Sequence, residues 1–134
     1  MAGSGRTSVA CCPPKPKIGK RPLIGSEQSA SMEAAFKVLA NGTRLRMLHA
    51  LVREPDLCVG DLAEAVGVKT QAVSNQLRRL VDKGIVASRR NGTQMHYRIV
   101  DPCVVSLLDQ GLCLTEDRPS GARTLMSDLR GARR

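Results

Sequence analysis

One short segment carries polar side chains whose types and spacing suit the reading of duplex DNA. They recur at i, i+3, i+4 and i+7, which places them on one face of a helix: Gln71, Ser74, Asn75 and Arg78. Gln and Asn side chains can pair with adenine edges, and Arg can bind guanine or a phosphate. The pattern predicts hydrogen bonding to base edges in the major groove. A solvated helix surface is the alternative interpretation of the same stripe.

The rest of this segment supports the DNA interpretation. An apolar set at helical spacing lies opposite the stripe and would pack on a core: Ala72, Val73, Leu77, Leu80 and Val81. The cations Lys69, Arg79 and Lys83 flank the stripe, where they would meet phosphates rather than bases. The segment is therefore expected to be buried on one side and to face DNA on the other.

The second group of residues with chemical potential is the cysteines. There are five, and they are widely spread: Cys11, Cys12, Cys58, Cys103 and Cys113. We expect a cytoplasmic protein, because there is neither a secretory signal nor an apolar run of the roughly 20 residues that span a bilayer. An odd number of thiols in a reducing compartment indicates buried cysteines, reactive thiols or metal ligands rather than a disulfide framework.

Charge narrows the class of partner. The 21 Lys and Arg residues outnumber the 12 Asp and Glu residues, for a net charge of +9. Such a balance favours a polyanion, either nucleic acid or an acidic membrane. Phe36 and Tyr97 are the only aromatic residues, which argues against single-strand and RNA binding, where bases usually stack on aromatic rings.

Periodicity and turn residues predict the elements that position these groups. Four helices are expected at about 26–39, 42–52, 61–66 and 70–83. Asn41 is the predicted N-cap of the second helix, whose apolar face would be Leu45, Leu48 and Leu51. Residues 57–59 are interpreted as an apolar link, and Gly67 as the left-handed turn residue.

A hairpin and a last helix complete the chain. Asn91-Gly92 lies between the alternating runs 85–90 and 93–99, which is a strong hairpin signal. Its tip would be basic, with Arg89, Arg90 and Arg98. A last helix is expected from Asp101 or Pro102 to about residue 115.

This order predicts a mainly α fold with a β-hairpin wing, the winged helix-turn-helix, in the order α-α-α-α-β-β-α. We expect a flexible tail at 1–24 that carries the Cys11-Cys12 pair, a DNA-binding and dimerisation domain at 25–117, and a basic flexible tail at 118–134. The apolar faces of the first and last helices have no predicted cover within the chain. They indicate a homodimer formed through these two helices.

Residues 32–114 resemble the ArsR/SmtB family of metal-sensing transcriptional repressors. The resemblance rests on the segments LANGTRLRMLHAL, LCVGDLAEAVGVKTQAVSNQLRRLVDKGIV and RRNGTQMHYRI. It implies a winged-helix homodimer that binds double-stranded operator DNA when metal-free and releases it when a metal or metalloid binds. It also implies which residues contact DNA, on the reading helix and the wing: Thr70, Gln71, Ser74, Asn75, Arg78, Arg89, Arg90, Asn91 and Gln94. The flanking Lys69 joins this predicted DNA-binding set as a phosphate contact.

The resemblance also implies two candidate ion sites. Thiolate-using members often carry Cys-Val-Cys-Asp where this chain has Cys58-Val59-Gly60-Asp61, so further thiolates must come from elsewhere. Some relatives use N-terminal cysteines, which makes Cys11, Cys12 and Cys58 the primary site. A trigonal site of three thiolates suits As(III), Cd(II), Pb(II) or Hg(II).

The second site would lie on the last helix. Other family members bind Zn(II) there across the dimer, and the equivalents in this chain are Asp101 and Cys103 from one subunit with Cys113 and Glu116 from the other. Packing of Cys103 and Cys113 in a dimer interface is the alternative. His49 and His96 are expected to be structural or surface residues.

Three other functions compete with metal sensing. A winged-helix repressor without a metal could sense thiol oxidation through Cys11, Cys12 and Cys58. An enzyme is not expected, because the chain has no nucleotide fingerprint, P-loop or paired carboxylates, and its core is too small for a catalytic cleft. An architectural DNA-binding protein would not need five cysteines.

Overall fold

The computed structural model describes residues 13–116. A short 3-10 turn at Ile18–Lys20 precedes five α-helices and three strands: α1 (Ser26–Leu39), α2 (Gly42–Arg53), β1 (Leu57–Cys58), α3 (Val59–Val66), α4 (Thr70–Asp82), β2 (Val86–Asn91), β3 (Gln94–Ile99) and α5 (Pro102–Thr115). The strands form one antiparallel sheet in the order β1-β3-β2. This arrangement confirms the predicted winged helix-turn-helix. No helix within 13–116 is long and apolar enough to cross a bilayer.

Local capping explains where the helices begin and end. Asn41 caps α2, because its Oδ1 accepts a hydrogen bond from the Arg44 backbone N–H at 3.0 Å. Gly67 ends α3 with a φ of 68°, in the left-handed region that glycine adopts without steric penalty. Asp101 caps α5 by accepting from the Cys103 N–H at 2.9 Å, and Pro102 occupies the first turn.

The core lies where α2, α3 and α4 meet the base of the sheet. Its largest inaccessible side chains come from these elements: Met47, Leu48, Leu51, Leu62, Val73, Leu77, Leu80 and Val86. Burying each of them contributes roughly 1.5–3 kcal/mol. The prediction that Leu45 packs in this core is wrong. Leu45 is 39% exposed beside α5 and Met47 is buried instead, because α2 turns its packed side toward α3.

The first two residues of the predicted apolar link at 57–59 form a strand. Leu57 and Cys58 of β1 pair with Tyr97 and His96 of β3, so the wing is a three-stranded sheet rather than a two-stranded hairpin. A strand of two residues is too short to show an alternating pattern. As a second difference, α3 begins at Val59 rather than at residue 61, directly after the strand.

The hairpin turn lies one residue later than predicted. Asn91 is paired with Gln94, so the two-residue loop is Gly92-Thr93 rather than Asn91-Gly92. Gly92 has a φ of 69°, which suits the first position of a tight hairpin turn. Arg98 pairs with Ala87 near the base of the hairpin, so it does not belong to the basic tip.

Candidate nucleic-acid interface and thiol positions

All four residues of the predicted DNA-reading face of α4 are at least partly accessible to solvent. Gln71, Asn75 and Arg78 are exposed and Ser74 is half-buried. The Gln71 Nε2 donates a hydrogen bond to the Asn75 Oδ1 at 3.3 Å, which orients both amides along the same face. Because the opposite face is buried, α4 cannot rotate about its axis without exposing the core.

The buried face of α4 differs from the predicted one in one residue. Val73, Leu77 and Leu80 are buried and Val81 is half-buried, but Ala72 is exposed. At about 100° per residue, Ala72 lies at the border beside Gln71, where α4 has no packing partner. Lys69 and Thr70 are exposed at the N-terminal end of α4. Backbone N–H groups there point outward and favour phosphate.

The wing presents a second polar and cationic surface. Arg89, Arg90, Asn91 and Gln94 are all exposed. Consecutive residues of a strand point to opposite faces, so Arg89 and Arg90 lie on the two sides of the ribbon. A cleft of about 210 Å³ joins α4 to this sheet and is lined by Ser74, Arg78, Val81, Asp82, Ser88 and Tyr97. The reading helix and the wing are therefore neighbours.

Two arginines of α2 hold the helix-turn-helix in place, and sequence reasoning missed both. The Arg44 Nε donates to the Gln76 Oε1 of α4 at 2.6 Å, and its guanidinium also donates to the Val38 carbonyl at 2.6 Å. Arg46 donates to the carbonyl of Val66, the last residue of α3, at 2.8 Å. Such charge-assisted bonds are stronger than neutral ones. No sequence signal separates these arginines from solvated cations.

Cys58 lies at the junction of the sheet and the helix-turn-helix. It is half-buried, it precedes α3 directly, and its Cα partner in β3 is His96. The His96 Nδ1 lies 2.7 Å from the Asp56 carbonyl oxygen, so that nitrogen carries the proton and donates. His96 is thus a hydrogen-bonded residue of the wing, and His49 is exposed on α2.

The residues of the second candidate site lie at the two ends of α5. Asp101 and Cys103 are in or before its first turn, whereas Cys113 and Glu116 are in or after its last turn and are exposed. Ten residues of helix separate the two cysteines by roughly 15 Å, so they cannot share an ion within one chain. Cys103 is half-buried, and the Asp101 carboxylate already caps the helix.

Within residues 13–116, no three Cys, His, Asp or Glu side chains come together in a group that could hold a metal ion. Cys11 and Cys12 of the predicted primary site lie outside the described residues. A site with three protein ligands would therefore need either residues beyond this range or a second chain.

An apolar groove lies between α1, α2 and α5. It encloses about 630 Å³ and is lined mainly by Phe36, Leu39, Leu45, Leu107, Leu108, Leu112 and Leu114. Phe36 is 49% exposed and Leu112 is 48% exposed. Within α5, Val104 is the one residue that is fully buried. Apart from the buried Leu39 and Val104, most of the apolar residues of the first and last helices are thus uncovered in the single chain.

A model of the MarR family matches residues 41–94, which span α2 to the start of β3. Among solved structures, the AntR antimony-specific transcriptional repressor is 57% identical, with a TM-score of 0.68 over 77% of this chain and 93% of that one. The homodimeric winged helix-turn-helix DNA-binding domain of a possible ArsR-family regulator from Mycobacterium bovis is 28% identical. Its TM-score is 0.58, over 71% of this chain and 90% of that one.

A curated relative agrees with these structures. The cadmium resistance transcriptional regulatory protein CadC of Listeria innocua is 30% identical over 94 residues, which cover 70% of this chain and 79% of that protein. These relatives are transcriptional regulators, which confirms the expectation that the chain is not an enzyme. Shared fold, shared length and shared sequence agree: the chain belongs to the ArsR/SmtB family of winged-helix transcriptional regulators.

Proposed function

We propose that this protein is a repressor that binds operator DNA as a homodimer and releases it when a thiophilic ion binds cysteine thiolates. The observation that carries the DNA-binding part is the reading face of α4. It is accessible and internally hydrogen-bonded, it is backed by a buried face, and it lies beside a cationic wing. Operator binding would place the protein in the cytoplasm.

Each side chain of this interface has a distinct role in the proposal. Gln71 and Asn75 pair with adenine edges, and Arg78 binds guanine or phosphate from the same face. Ser74 lies on the same face and can bond to either a base or a phosphate. Contacts to the phosphate backbone come from the N-terminal end of α4 and from the wing: Lys69, Thr70, Arg89, Arg90, Asn91 and Gln94. Phosphate contacts fix the register of the protein on the duplex, and base contacts supply the sequence preference.

The second half of the proposal is the dimer. A second copy of the chain would cover the groove between α1, α2 and α5, where Phe36 and Leu112 are half exposed. A contiguous exposed apolar patch of this kind on a small domain usually marks an interface. The related domain from Mycobacterium bovis is described as homodimeric, which supports the same assembly here. Two copies of α4 would then address two half-sites of a palindrome.

The proposed inducer is a soft ion, and trivalent metalloids lead the candidates. AntR, which is 57% identical, is named as antimony-specific, so Sb(III) joins As(III) ahead of Cd(II), Pb(II) and Hg(II). Three thiolates in a trigonal arrangement suit these ions. We place the primary site at Cys58 with Cys11 and Cys12, because no third ligand meets Cys58 within residues 13–116.

The alternative site uses α5 of two subunits. Asp101 and Cys103 of one chain would face Cys113 and Glu116 of the other across an antiparallel helix pair, which also suits Zn(II). Since Asp101 caps α5, ligation there would compete with the cap and weaken the first turn of the helix.

The deciding experiment is a fluorescence-anisotropy titration of the protein against DNA from its own upstream region. The ions are Sb(III), As(III), Cd(II), Pb(II), Hg(II) and Zn(II), each in excess reductant so that thiol oxidation cannot act. We expect Cys58→Ser to bind the operator normally and to lose ion-induced release. The double variants Cys11→Ser/Cys12→Ser and Cys103→Ser/Cys113→Ser separate the two sites.

Three results would contradict parts of this proposal. If the ions release Cys58→Ser from the operator as readily as they release the wild-type protein, the primary site is excluded. Release of the wild-type protein only without reductant would favour redox sensing. Equal affinity for operator and random DNA would indicate an architectural protein.

A further inference from the structure

We propose that Asp56 is a positioning residue that couples the thiol of Cys58 to the wing arginine Arg89. The inference rests on the proposed function, in which an ion at Cys58 weakens operator binding. It adds a set of contacts through which ion binding at Cys58 would change the position of the DNA-contacting wing residue Arg89.

The first part of the route is a cross-strand row of the sheet. His96 in β3 has Cys58 as its Cα partner in β1 and Arg89 as its Cα partner in β2. Directly opposed residues of antiparallel strands carry their side chains on the same face, with Cβ atoms about 4.5–5.5 Å apart. The thiol, the imidazole and the guanidinium therefore lie side by side across three strands.

The second part is Asp56, which contacts two members of the row from the loop before β1. Its backbone carbonyl accepts a hydrogen bond from the His96 Nδ1 at 2.7 Å. Its Oδ1 lies 3.4 Å from the Arg89 guanidinium. Because Asp56 is only two residues from Cys58 in the chain, a shift of β1 at Cys58 moves both contacts.

Asp56 has an unusual backbone conformation and a partly shielded carboxylate. Its φ is 65°, and no other non-glycine residue in 13–116 has a positive φ. The Oδ1 atom is shielded from solvent and has no hydrogen-bond partner, although the side chain as a whole is 42% exposed. Within the described residues, the ion pair with Arg89 balances the negative charge of the Asp56 carboxylate. Asp56 therefore cannot shift without moving Arg89 or leaving a shielded oxygen uncompensated.

The mechanism follows from these contacts. In the ion-free protein, the Asp56 carboxylate holds the Arg89 side chain at one position along β2, where it meets a phosphate. When an ion binds the Cys58 thiolate, β1 and Asp56 shift together, and the guanidinium moves away from that phosphate. The loss of one phosphate contact in each subunit then contributes to release.

The test uses Asp56→Asn in the full chain. Asparagine tolerates the left-handed conformation and keeps the backbone carbonyl for His96, but it removes the charge that holds Arg89. The readout is the ratio of operator Kd with and without the ion, for which arsenite and antimonyl tartrate are the probes. We expect this ratio to fall by about threefold or more, because Arg89 is no longer held at the phosphate in the ion-free protein and the ion-free affinity falls.

Two further variants make the result specific. Glu33→Gln removes the same charge from an exposed ion pair with Lys37 on α1, far from the row in the chain, and should leave the ratio unchanged. Arg89→Gln should weaken ion-free binding, lower the salt dependence of binding by about one phosphate per subunit and also reduce the ratio. If Asp56→Asn does not fold, Arg89→Gln still tests the route.

The outcomes separate this inference from the proposed function. If the wild-type protein is not released by any ion, both are overturned. If the wild-type protein is released, and Asp56→Asn and Arg89→Gln show the same ratio as wild type, the Asp56 route alone is overturned. In the absence of DNA, wild type and Asp56→Asn should bind the ion with equal affinity, which thiolate-to-metal charge-transfer absorbance measures.

Discussion

Helices α4 and α5 carry apolar residues at similar helical spacing, but only α4 is packed within its own chain. Val73, Leu77 and Leu80 of α4 are buried, whereas Val104 is the one residue of α5 that is fully buried. Leu112 and Leu114 remain about half exposed. The orientation of α4 is thus set by packing within one chain, whereas most of the apolar face of α5 has no cover within residues 13–116.

The largest expected effect is the loss of packing behind α4. Leu77→Ala removes a side chain that is 1% exposed, so we expect a loss of about 2–5 kcal/mol in the free energy of unfolding. Urea denaturation measures this loss. Leu23→Ala is the control, because Leu23 is 96% exposed and its truncation should change stability by less than about 0.5 kcal/mol. A loss below about 1 kcal/mol for Leu77→Ala would contradict the packing of α4.

The second-largest expected effect concerns the exposed apolar face of α5. Leu112→Glu places a charge in the groove beside α5, so we expect the dimer dissociation constant to rise on the order of 30-fold or more. Sedimentation equilibrium at several protein concentrations measures it. Leu23→Glu is the matched charge change outside the groove. A Leu112→Glu protein that dimerises as tightly as wild type would show that α5 is not the interface.

The smallest effect concerns the outer face of α4. Asn75→Ala removes one amide of the pair with Gln71, so preference for operator over scrambled DNA should fall by about 1–3 kcal/mol. Competition binding with the two DNAs measures this preference. Arg79→Gln, on the exposed flank, should weaken binding to both DNAs equally and reduce the salt dependence. Equal loss on both DNAs for Asn75→Ala would assign it to phosphate rather than to a base.

The elements with strong local signals could be predicted from the sequence. Asn41 and Asp101 cap their helices as expected, because a short polar side chain before an apolar-periodic run satisfies the first backbone N–H groups. The exposed polar face of α4 could be predicted because its residues follow one another within a few turns of one helix. The turn at Gly92 was located to within one residue.

Features that depend on distant residues could not be predicted in this way. Strand β1 has two residues and is defined only by its pairing with β3, about 40 positions further along the chain. The contact of Arg44 with Gln76 joins residues 32 positions apart, and nothing local distinguishes Arg44 from a solvated cation. The neighbourhood of His96 and Cys58 could not be predicted either, because the two residues are adjacent only across the sheet.

The open groove beside α5 has a consequence for how such a repressor responds to its own abundance. A dimer assembled through Phe36 and Leu112 forms in proportion to the square of the subunit concentration. Below the dimer dissociation constant, halving the number of subunits therefore reduces the dimers available to an operator about fourfold. Dilution of the protein during cell growth would relieve repression more steeply than it would for a monomeric regulator.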